Sequence, residues 1–297
     1  MAMIPFDDRD GAIWFDGALI PWRDAKVHVL SHGLHYASAV FEGERVYSGN
    51  IFESQAHTKR LMRSAEILDF KIPYSVAEIE AAKKAVVASH GISDGYVRPI
   101  AWRGSEMMGV SAQANKIHLA IAAWEWPSYF SPEARAKGIQ MIWAPYRRPD
   151  PKTAPVAAKA AGLYMICTIS KHAAEKEGAD DALMLDYRGL LAEATGANLF
   201  LAIDGKLHTP TPDCFLNGIT RQTVMRLARE RQIEVIERHI QPEELTSASE
   251  VFLTGSAAEV TPVGRIGDHT FTPGQISQTL YDDYMKLMRS PPKPMLG

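Results

Sequence analysis

One lysine, Lys159, lies among small apolar residues in the stretch PVAAKAAGLY, residues 155–164. Small neighbours allow a bulky planar molecule to come close, and desolvation lowers the pKa of an amine in such surroundings. The neutral amine is a nucleophile toward an aldehyde, with which it forms a Schiff base. Taken alone, the stretch fits at least as well a lysine at a helix start whose ammonium group reaches water.

A carboxylate, Glu193, stands in EATGANLF, residues 193–200, where a strand is predicted to meet a turn that contains glycine. A carboxylate that faces a pyridine nitrogen keeps that nitrogen protonated and makes the ring an electron sink. An exposed turn carboxylate is the simpler interpretation of this residue alone.

A helix start is predicted in LNGITR, residues 216–221, directly after Gly218. The amides of Ile219 and Thr220 would lack partners within the helix, and such amides bind phosphate. A helix that merely has a threonine near its start is the alternative.

The first half of the chain contains a predicted helix and two predicted strands. Ser75 and Glu78 form a capping box, the helix that follows ends at Gly91, and its apolar face carries Ile79, Ala82 and Val86. Residues 94–104 and 116–124 have the composition of strands. The first strand would place these side chains on one face: Tyr96, Arg98, Ile100 and Trp102.

The second half of the chain is again a mixture of strands and helices. A hairpin turn is expected at Asp204 and Gly205. Strands are predicted over 138–146, 182–187 and 198–203, and helices after Lys159, over 219–231 and over about 275–289. The aromatic, proline-bearing segment 126–134 lacks periodicity. We therefore predict a small α/β domain over 1–127, an interdomain loop over 128–137 and a larger α/β domain over 138–297.

Composition and charge exclude several classes of partner. The net charge of −3 and the isoelectric point near 6.4 leave no basic surface for nucleic acid or for membrane lipid. The apolar stretches are shorter than the roughly 20 residues that span a bilayer. The polar N-terminus lacks a signal sequence, and Cys167 and Cys214 show no pairing pattern. We expect a cytoplasmic protein whose partners are small molecules.

Three histidines, His28, His32 and His35, would align on a helix and could then ligate a metal ion. The segment VHVL, residues 27–30, looks strand-like, which would break that alignment. We therefore expect ordinary core or loop histidines and no metal.

Several motifs together carry a family resemblance. Glu193-x-Thr195-x-x-Asn198-Leu199-Phe200, Leu207-x-Thr209 and Leu216-x-Gly218-Ile219-x-Arg221 resemble the signature of class IV, or fold-type IV, pyridoxal-phosphate aminotransferases. Within that class the chain is most similar to branched-chain amino acid aminotransferases, as shown by these stretches: 26–43, YVRP at 96–99, AAKAAGLY at 157–164 and TGSAAEVTPV at 254–263. The resemblance reaches to about residue 265. It implies a two-domain α+β or α/β fold like that of D-amino acid aminotransferase, with pyridoxal 5′-phosphate at the domain interface.

The resemblance implies a role for each residue that matches the family pattern. Lys159 would carry the cofactor as a Schiff base, Glu193 would face the pyridine nitrogen, and Tyr164 would bond the phenolic oxygen. The phosphate would be held by Arg60, Ile219, Thr220 and Ser256, with the arginine as a bidentate donor.

The substrate would bind beside the cofactor. Tyr96 and the turn amides of Ser256 and Ala257 would hold its α-carboxylate. The side-chain pocket would consist of Phe41, Tyr36, Trp126, Tyr129 and Val110, and Gly43 would leave room beside it. Tyr36 and Val110 would come from a partner subunit, which implies a homodimer and allows a hexamer.

Arg98 shares the strand face of Tyr96 and would enter an otherwise apolar pocket. A movable arginine among aromatic rings would let one site accept both an isobutyl group and a γ-carboxylate. A surface arginine is the interpretation without the resemblance.

The resemblance implies transamination between leucine, isoleucine or valine and 2-oxoglutarate by a ping-pong mechanism. A D-amino acid aminotransferase or an aminodeoxychorismate lyase would share Lys159 and Glu193, and a noncatalytic binding protein would need neither. The chain departs from the family pattern at Leu163, Ala194, Ala197 and Ser256. Met107 and Met108 lie in the loop that would border the pocket, so the substrate range is less well defined than the cofactor.

Overall fold

The computed structural model describes residues 4–126 and 132–290. These residues form two compact units: the first contains 4–126 and Ala158–Gly162, and the second contains 132–157 and 163–290. The segment with Lys159 therefore belongs to the same unit as the amino-terminal part of the chain.

The first unit is an antiparallel sheet with two long helices. Its elements are β1 Ala12–Phe15, β2 Ala18–Pro21, α1 His32–Tyr36, β3 Ala39–Phe41, β4 Glu44–Tyr47, β5 Asn50–Ile51, α2 Ser54–Ile67, α3 Val76–Ser89, β6 Gly95–Arg103 and β7 Ile117–Glu125. The seven-stranded sheet has the order β2-β1-β7-β6-β4-β5, and β3 also pairs with β6. Strand β6 is therefore central, and it pairs with β7 along its whole length.

One face of β6 belongs to the core of this unit. The helices α2 and α3 and the sheet share an apolar cluster that includes Leu61, Ala65, Ile79, Val86, Val97, Ala101 and Leu119. Because side chains alternate along a strand, Tyr96 and Arg98 lie on the face opposite Val97 and Ala101. The strand predicted over 94–104 is confirmed, and Tyr96, Arg98, Ile100 and Trp102 share one of its faces.

The capping box at the start of α3 is also confirmed. The Ser75 hydroxyl accepts from the Glu78 amide at 3.3 Å, and the Ser75 amide donates to the Glu78 carboxylate at 2.7 Å. The helix ends at Ser89, and Gly91 follows with a φ of +61°. Glycine adopts that left-handed backbone at little cost, which explains why the helix stops there.

The second unit is a larger mixed sheet with four helices among its described residues. Its elements are α4 Pro132–Lys137, β8 Ile139–Trp143, α5 Met165–Lys176, β9 Asp181–Leu185, β10 Leu191–Ala194, β11 Asn198–Ile203, β12 Lys206–Pro210, α6 Ile219–Glu230, β13 Val235–Arg238, β14 Glu250–Gly255, β15 Glu259–Ile266, β16 His269–Thr270 and α7 Gln275–Arg289. Helix α4 forms within the segment 128–137 that was predicted as a loop, since a proline is well suited to the first turn of a helix.

The sheet of the second unit closes on itself. Its order is β10-β9-β8-β15-β14-β11-β12-β13, and β10 pairs in addition with β11 through Glu193 and Asn198. The interior includes Ile139, Leu183, Leu199, Leu253 and Val263. The pairing that closes the ring therefore fixes the backbone of Glu193 from both sides.

Local patterns of the second unit agree with prediction. Asp204 and Gly205 have φ angles of +51° and +75° and connect β11 to β12 as the expected hairpin turn. Helices α6 and α7 cover the segments predicted as helical. Among the helices of the described ranges, none combines the length and the apolar character needed to cross a bilayer.

The strand-like interpretation of VHVL, residues 27–30, is wrong. These residues form a loop before α1, and Val29 is 69% exposed. A β-branched composition favours a strand only where a neighbouring strand and a buried face are available. His28 lies outside α1, so the three histidines do not align on one helix.

Candidate active site

Lys159 lies in an extended segment of the first unit whose backbone is held on both sides. Its carbonyl accepts from the Phe41 amide at 3.1 Å, and its own amide donates to the Ser64 hydroxyl at 3.0 Å. The predicted helix starts later, with a 3-10 turn over Ala161–Tyr164 that leads into α5. Lys159 is therefore anchored between β3 and α2 rather than at a helix start.

The amine of Lys159 lies 4.9 Å from the centre of the Phe41 ring. Desolvation lowers the pKa of Lys159 to about 8, and the positive charge of Arg60 contributes to the same shift, while Glu42 opposes it. A larger fraction of this amine is therefore neutral at pH 7 than in an ordinary lysine. The nucleophile inferred from PVAAKAAGLY is supported by its surroundings.

Arg60, on α2, is held by a buried carboxylate. Its Nε and Nη2 donate to the two oxygens of Glu42 at 2.6 and 2.7 Å, and His57 Nδ1 donates to the same carboxylate at 2.7 Å. Burial would raise the pKa of Glu42, but Arg60 and His57 outweigh it and hold that pKa well below its usual range. Burial lowers the pKa of His57, although the Glu42 carboxylate opposes this shift, and so favours the neutral imidazole. The bidentate bond expected of Arg60 is thus made to Glu42.

The face of β6 that points away from Val97 and Ala101 carries Tyr96 and Arg98 beside the Phe41 ring. The guanidinium carbon of Arg98 lies 4.9 Å from the centre of the Phe41 ring, and Arg98 Nη2 donates to the Tyr96 hydroxyl at 3.4 Å. Arg98 Nε is buried and has no hydrogen-bond partner within residues 4–126 and 132–290. The Trp126 ring packs on Tyr96 with centroids 5.1 Å apart. The structure therefore groups a cation and a hydroxyl among aromatic rings.

Tyr36 is the last residue of α1, and Val110 lies in the loop between β6 and β7. Tyr36 stacks on His32, and its hydroxyl donates to the Met108 carbonyl at 3.5 Å. Val110 is 86% exposed and Tyr36 is 45% exposed. Tyr129, the remaining member of the predicted pocket, lies outside the described residues.

In the second unit, Glu193 is buried in β10 between a side-chain amide and a guanidinium group. Asn198 Nδ2 donates to Glu193 Oε2 at 3.1 Å, and Arg148 Nε lies 3.4 Å from Glu193 Oε1. Burial would lower the pKa of Arg148, but the Glu193 carboxylate, together with Cys167 and Tyr164, raises it. Both neighbours favour the ionised form of Glu193, which is the form that a pyridine nitrogen requires.

The start of α6 is tied to the same asparagine. Asn198 Nδ2 also donates to the Leu216 carbonyl at 3.0 Å, and a Cβ on Gly218 would lie 2.1 Å from Asn198 Oδ1. Gly218 is the N-cap of α6, so the amides of Ile219 and Thr220 belong to its first turn. Glycine is needed here for close approach and not for an unusual φ, which is −61°.

Ser256 and Ala257 form the turn between β14 and β15, where Gly255 pairs with Glu259. Tyr164 ends the 3-10 turn before α5 and is partly buried. Ser256 and Ala257 thus lie on a turn, and Tyr164 lies on the 3-10 turn that precedes α5.

His32 makes hydrogen bonds within the first unit. His32 bonds Ser38 and the Gly109 carbonyl at 3.0 Å each. Within the described ranges, Asp186, Asp213 and Cys214 are close enough together to suggest a metal site, but Arg188 already bonds both carboxylates. That arrangement is an ion-pair network.

These residues fit pyridoxal phosphate. An amine of lowered pKa and a fixed cation stand in the first unit, and a buried carboxylate and a helix N-terminus stand in the second. Each has the chemistry that one end of that cofactor needs.

The comparisons with known proteins agree with this geometry. Residues 39–266 match the family model described as amino-transferase class IV. The chain belongs to the class IV aminotransferases. The family and the fold predicted from the signature are confirmed.

The similar proteins of this class extend over nearly the whole chain. The branched-chain-amino-acid aminotransferase of Pseudomonas aeruginosa is 41% identical over 288 residues, which cover 95% of this chain and 94% of that protein. The T.th. branched-chain amino acid aminotransferase complexed with N-(5′-phosphopyridoxyl)-L-glutamate has a TM-score of 0.90 at 38% identity and covers 95% of each chain. Its complex with 4-methylvaleric acid gives the same score and identity, covering 95% of this chain and 96% of that one.

The sequence did not reveal the contribution of four residues of the site. Glu42 lies in the stretch 26–43 and Asn198 in the signature, so both belong to recognised motifs, but the motifs did not show what these two side chains contact. Ser64 and Arg148 had none, because their contacts to Lys159 and Glu193 join distant parts of the chain.

Proposed function

We propose that this class IV aminotransferase uses pyridoxal 5′-phosphate to transfer the amino group between leucine, isoleucine or valine and 2-oxoglutarate in a ping-pong reaction. The observation that carries the substrate assignment is Arg98, whose guanidinium lies over the Phe41 and Tyr96 rings. Such a cation leaves the surroundings apolar for a branched side chain and still offers donors to a second carboxylate. The ligands of the T.th. relative, one glutamate-like and one a branched acid, support this dual recognition.

The cofactor, when bound, supplies an electron sink for the negative charge that develops at the substrate Cα. Lys159 would hold its aldehyde carbon, Glu193 would keep its ring nitrogen protonated, and Tyr164 would bond its phenolic oxygen. Arg60, Ser256 and the amides of Ile219 and Thr220 would bind its phosphate.

Lys159 would also move the proton of the reaction. Its neutral amine would accept the proton that leaves the substrate Cα and would donate it again later in the same half-reaction. The lowered pKa of Lys159 suits this exchange near neutral pH. Arg148 and Asn198 would hold the Glu193 carboxylate in place while the proton moves.

The substrate α-carboxylate would be bound by Tyr96 and by the amides of Ser256 and Ala257. The side chain would lie against Phe41 and Trp126, and the lack of a side chain at Gly43 leaves room for the Tyr96 hydroxyl. Tyr36 and Val110, both exposed, would complete the pocket of a partner subunit.

The exposed apolar side chains support a homodimer. The loops around α1 and around Val110 expose these residues: Val27, Val29, Leu30, Leu34, Tyr36, Met107 and Val110. His32 bonds the Gly109 carbonyl and so joins the two loops into one surface. An apolar surface of this kind is typical of a subunit contact. We propose that the protein is cytoplasmic and forms a homodimer, and that a hexamer would consist of three such dimers. Light scattering on the purified protein measures the number of subunits.

A panel of L- and D-amino donors with 2-oxoglutarate tests the function. We expect turnover with L-leucine, L-isoleucine and L-valine and formation of L-glutamate. Turnover confined to D-amino acids, or pyruvate release from aminodeoxychorismate, would replace the proposal with another class IV activity. A colourless purified protein that takes up no cofactor would indicate a noncatalytic role.

A further inference from the structure

The guanidinium group of Arg60 already makes a bidentate hydrogen bond to a carboxylate of its own unit. Nε and Nη2, the two nitrogens on one edge of the guanidinium, both donate to Glu42. A phosphate group cannot use the same edge, so Arg60 must meet it from another side. The side chain of Arg60 is 18% exposed, which leaves it accessible to a ligand.

Glu42 is rigidly placed. It is fully buried, its backbone amide donates to the Pro99 carbonyl of β6 at 2.9 Å, and His57 holds one of its oxygens. His57 and Arg60 are one turn apart on α2, so a single carboxylate fastens two residues of that helix to the sheet.

We propose that Glu42 is a positioning residue that fixes the guanidinium of Arg60 for the cofactor phosphate, with His57 holding Glu42 in place. This inference rests on the proposed function, which makes Arg60 a phosphate ligand. Glu42 acts through Arg60 and touches neither substrate nor cofactor.

Two roles of Glu42 predict opposite results when its charge is removed. If Glu42 were only a counter-charge, Glu42→Gln would leave the site more positive, and an anion would bind more tightly. If Glu42 orients Arg60, the variant loses a charge-assisted bidentate contact, and phosphate binding weakens in spite of the gain in positive charge. The direction of the change therefore separates the two roles.

A matched control lies two residues away. Glu44 is also fully buried, and Lys83 Nζ donates to it at 2.8 Å. Burial raises the pKa of Glu44 to about 8, so glutamine resembles its protonated form. Glu44→Gln disturbs a buried polar pair of the same sheet without a contact to Arg60.

The experiment compares pyridoxal 5′-phosphate with pyridoxal, which lacks the phosphate. Spectroscopic titration of the full-length protein stripped of cofactor gives both dissociation constants and their ratio, which measures the preference for the phosphate. For Glu42→Gln we expect this preference to fall about ten-fold or more, the effect of losing a charge-assisted hydrogen bond. Because Glu42 also raises the pKa of Lys159, pyridoxal binding reports any change in that amine, and the ratio of the two constants removes it. Glu44→Gln should keep the preference.

An unchanged or increased preference in Glu42→Gln would overturn the inference. Glu42→Asp provides a second variant if the first does not fold, since it keeps the charge but withdraws the carboxylate. If Glu42 orients Arg60, this variant also loses preference for the phosphate. A wild-type preference in Glu42→Asp would refute the inference. Arg60→Met separates the two levels of the proposal. If this variant retains the preference, the phosphate assignment of Arg60 is wrong; if it loses the preference while the Glu42 variants do not, only the positioning role fails.

Discussion

Gly43 lies against the ring of Tyr96 so closely that a side chain there has no space. A Cβ built on Gly43 would be 1.8 Å from the Tyr96 hydroxyl oxygen and 2.7 Å from the ring carbon that carries it. The φ of Gly43 is not in the left-handed region, so close approach is the reason for the glycine. Any larger residue must displace Tyr96.

Gly43→Ala should therefore impair every substrate of the enzyme to a similar extent. Tyr96 is proposed to bind the α-carboxylate, which all amino acids share, and its displacement should reduce kcat/KM about ten-fold or more. Steady-state kinetics with leucine and with glutamate measure this. A variant with wild-type kcat/KM for both would show that Tyr96 tolerates the shift or binds no carboxylate.

Arg98→Leu should affect one half-reaction only. The variant removes the cation and keeps the surroundings apolar, so the half-reaction with glutamate or 2-oxoglutarate should lose roughly 2 to 5 kcal/mol, the range for an unpaired buried charge. Leucine and its oxo acid should lose little. Single-turnover spectroscopy measures each half-reaction separately. Equal losses would mean that Arg98 supports the fold or the α-carboxylate instead.

Glu193→Gln should reduce turnover sharply while most of the cofactor is retained. Glutamine keeps the shape and can still accept from Asn198, but it lacks the charge that protonates the pyridine nitrogen. Turnover per bound cofactor is the measurement. Glu250→Gln is a suitable control, since Glu250 is another buried carboxylate of the same sheet and bonds the start of α7. Wild-type turnover in Glu193→Gln would show that Glu193 is not needed to keep the pyridine nitrogen protonated.

Borohydride should fix the cofactor to Lys159 in a yellow purified protein. Peptide mapping locates the label, and a label found only at another lysine, such as Lys171, would refute the assignment. The amine should be attached at this position because it is the desolvated one beside Phe41.

The reactivity of Lys159 in the cofactor-free protein should rise through about pH 8. Desolvation disfavours the ammonium form, so the proton leaves at a lower pH than from an ordinary lysine, near 10.4, and the neutral nucleophile accumulates earlier. The rate of acylation at Lys159 as a function of pH, followed by peptide mass spectrometry, gives the midpoint. A midpoint near 10 would show that the amine is solvated.

Patterns that depend on neighbouring residues could be predicted from the sequence. The capping box of Ser75 and Glu78 and the hairpin turn at Asp204 and Gly205 need only a few adjacent residues, and alternation along β6 placed Tyr96 and Arg98 on one face. The signature around Glu193 and Gly218 identified the family, since residue types at fixed spacing are a property of the chain alone.

Contacts between distant segments were decided by the tertiary structure. Arg60 could be predicted as a cation for the phosphate. Only the packing of α2 on the sheet shows that its guanidinium group makes a bidentate bond to Glu42. Arg148 and Asn198 meet at Glu193 because the ring of strands closes there. VHVL was misread as a strand because pairing depends on a neighbour that composition does not reveal. A side chain's partner depends on how the backbone brings remote residues together, and no local pattern contains that information.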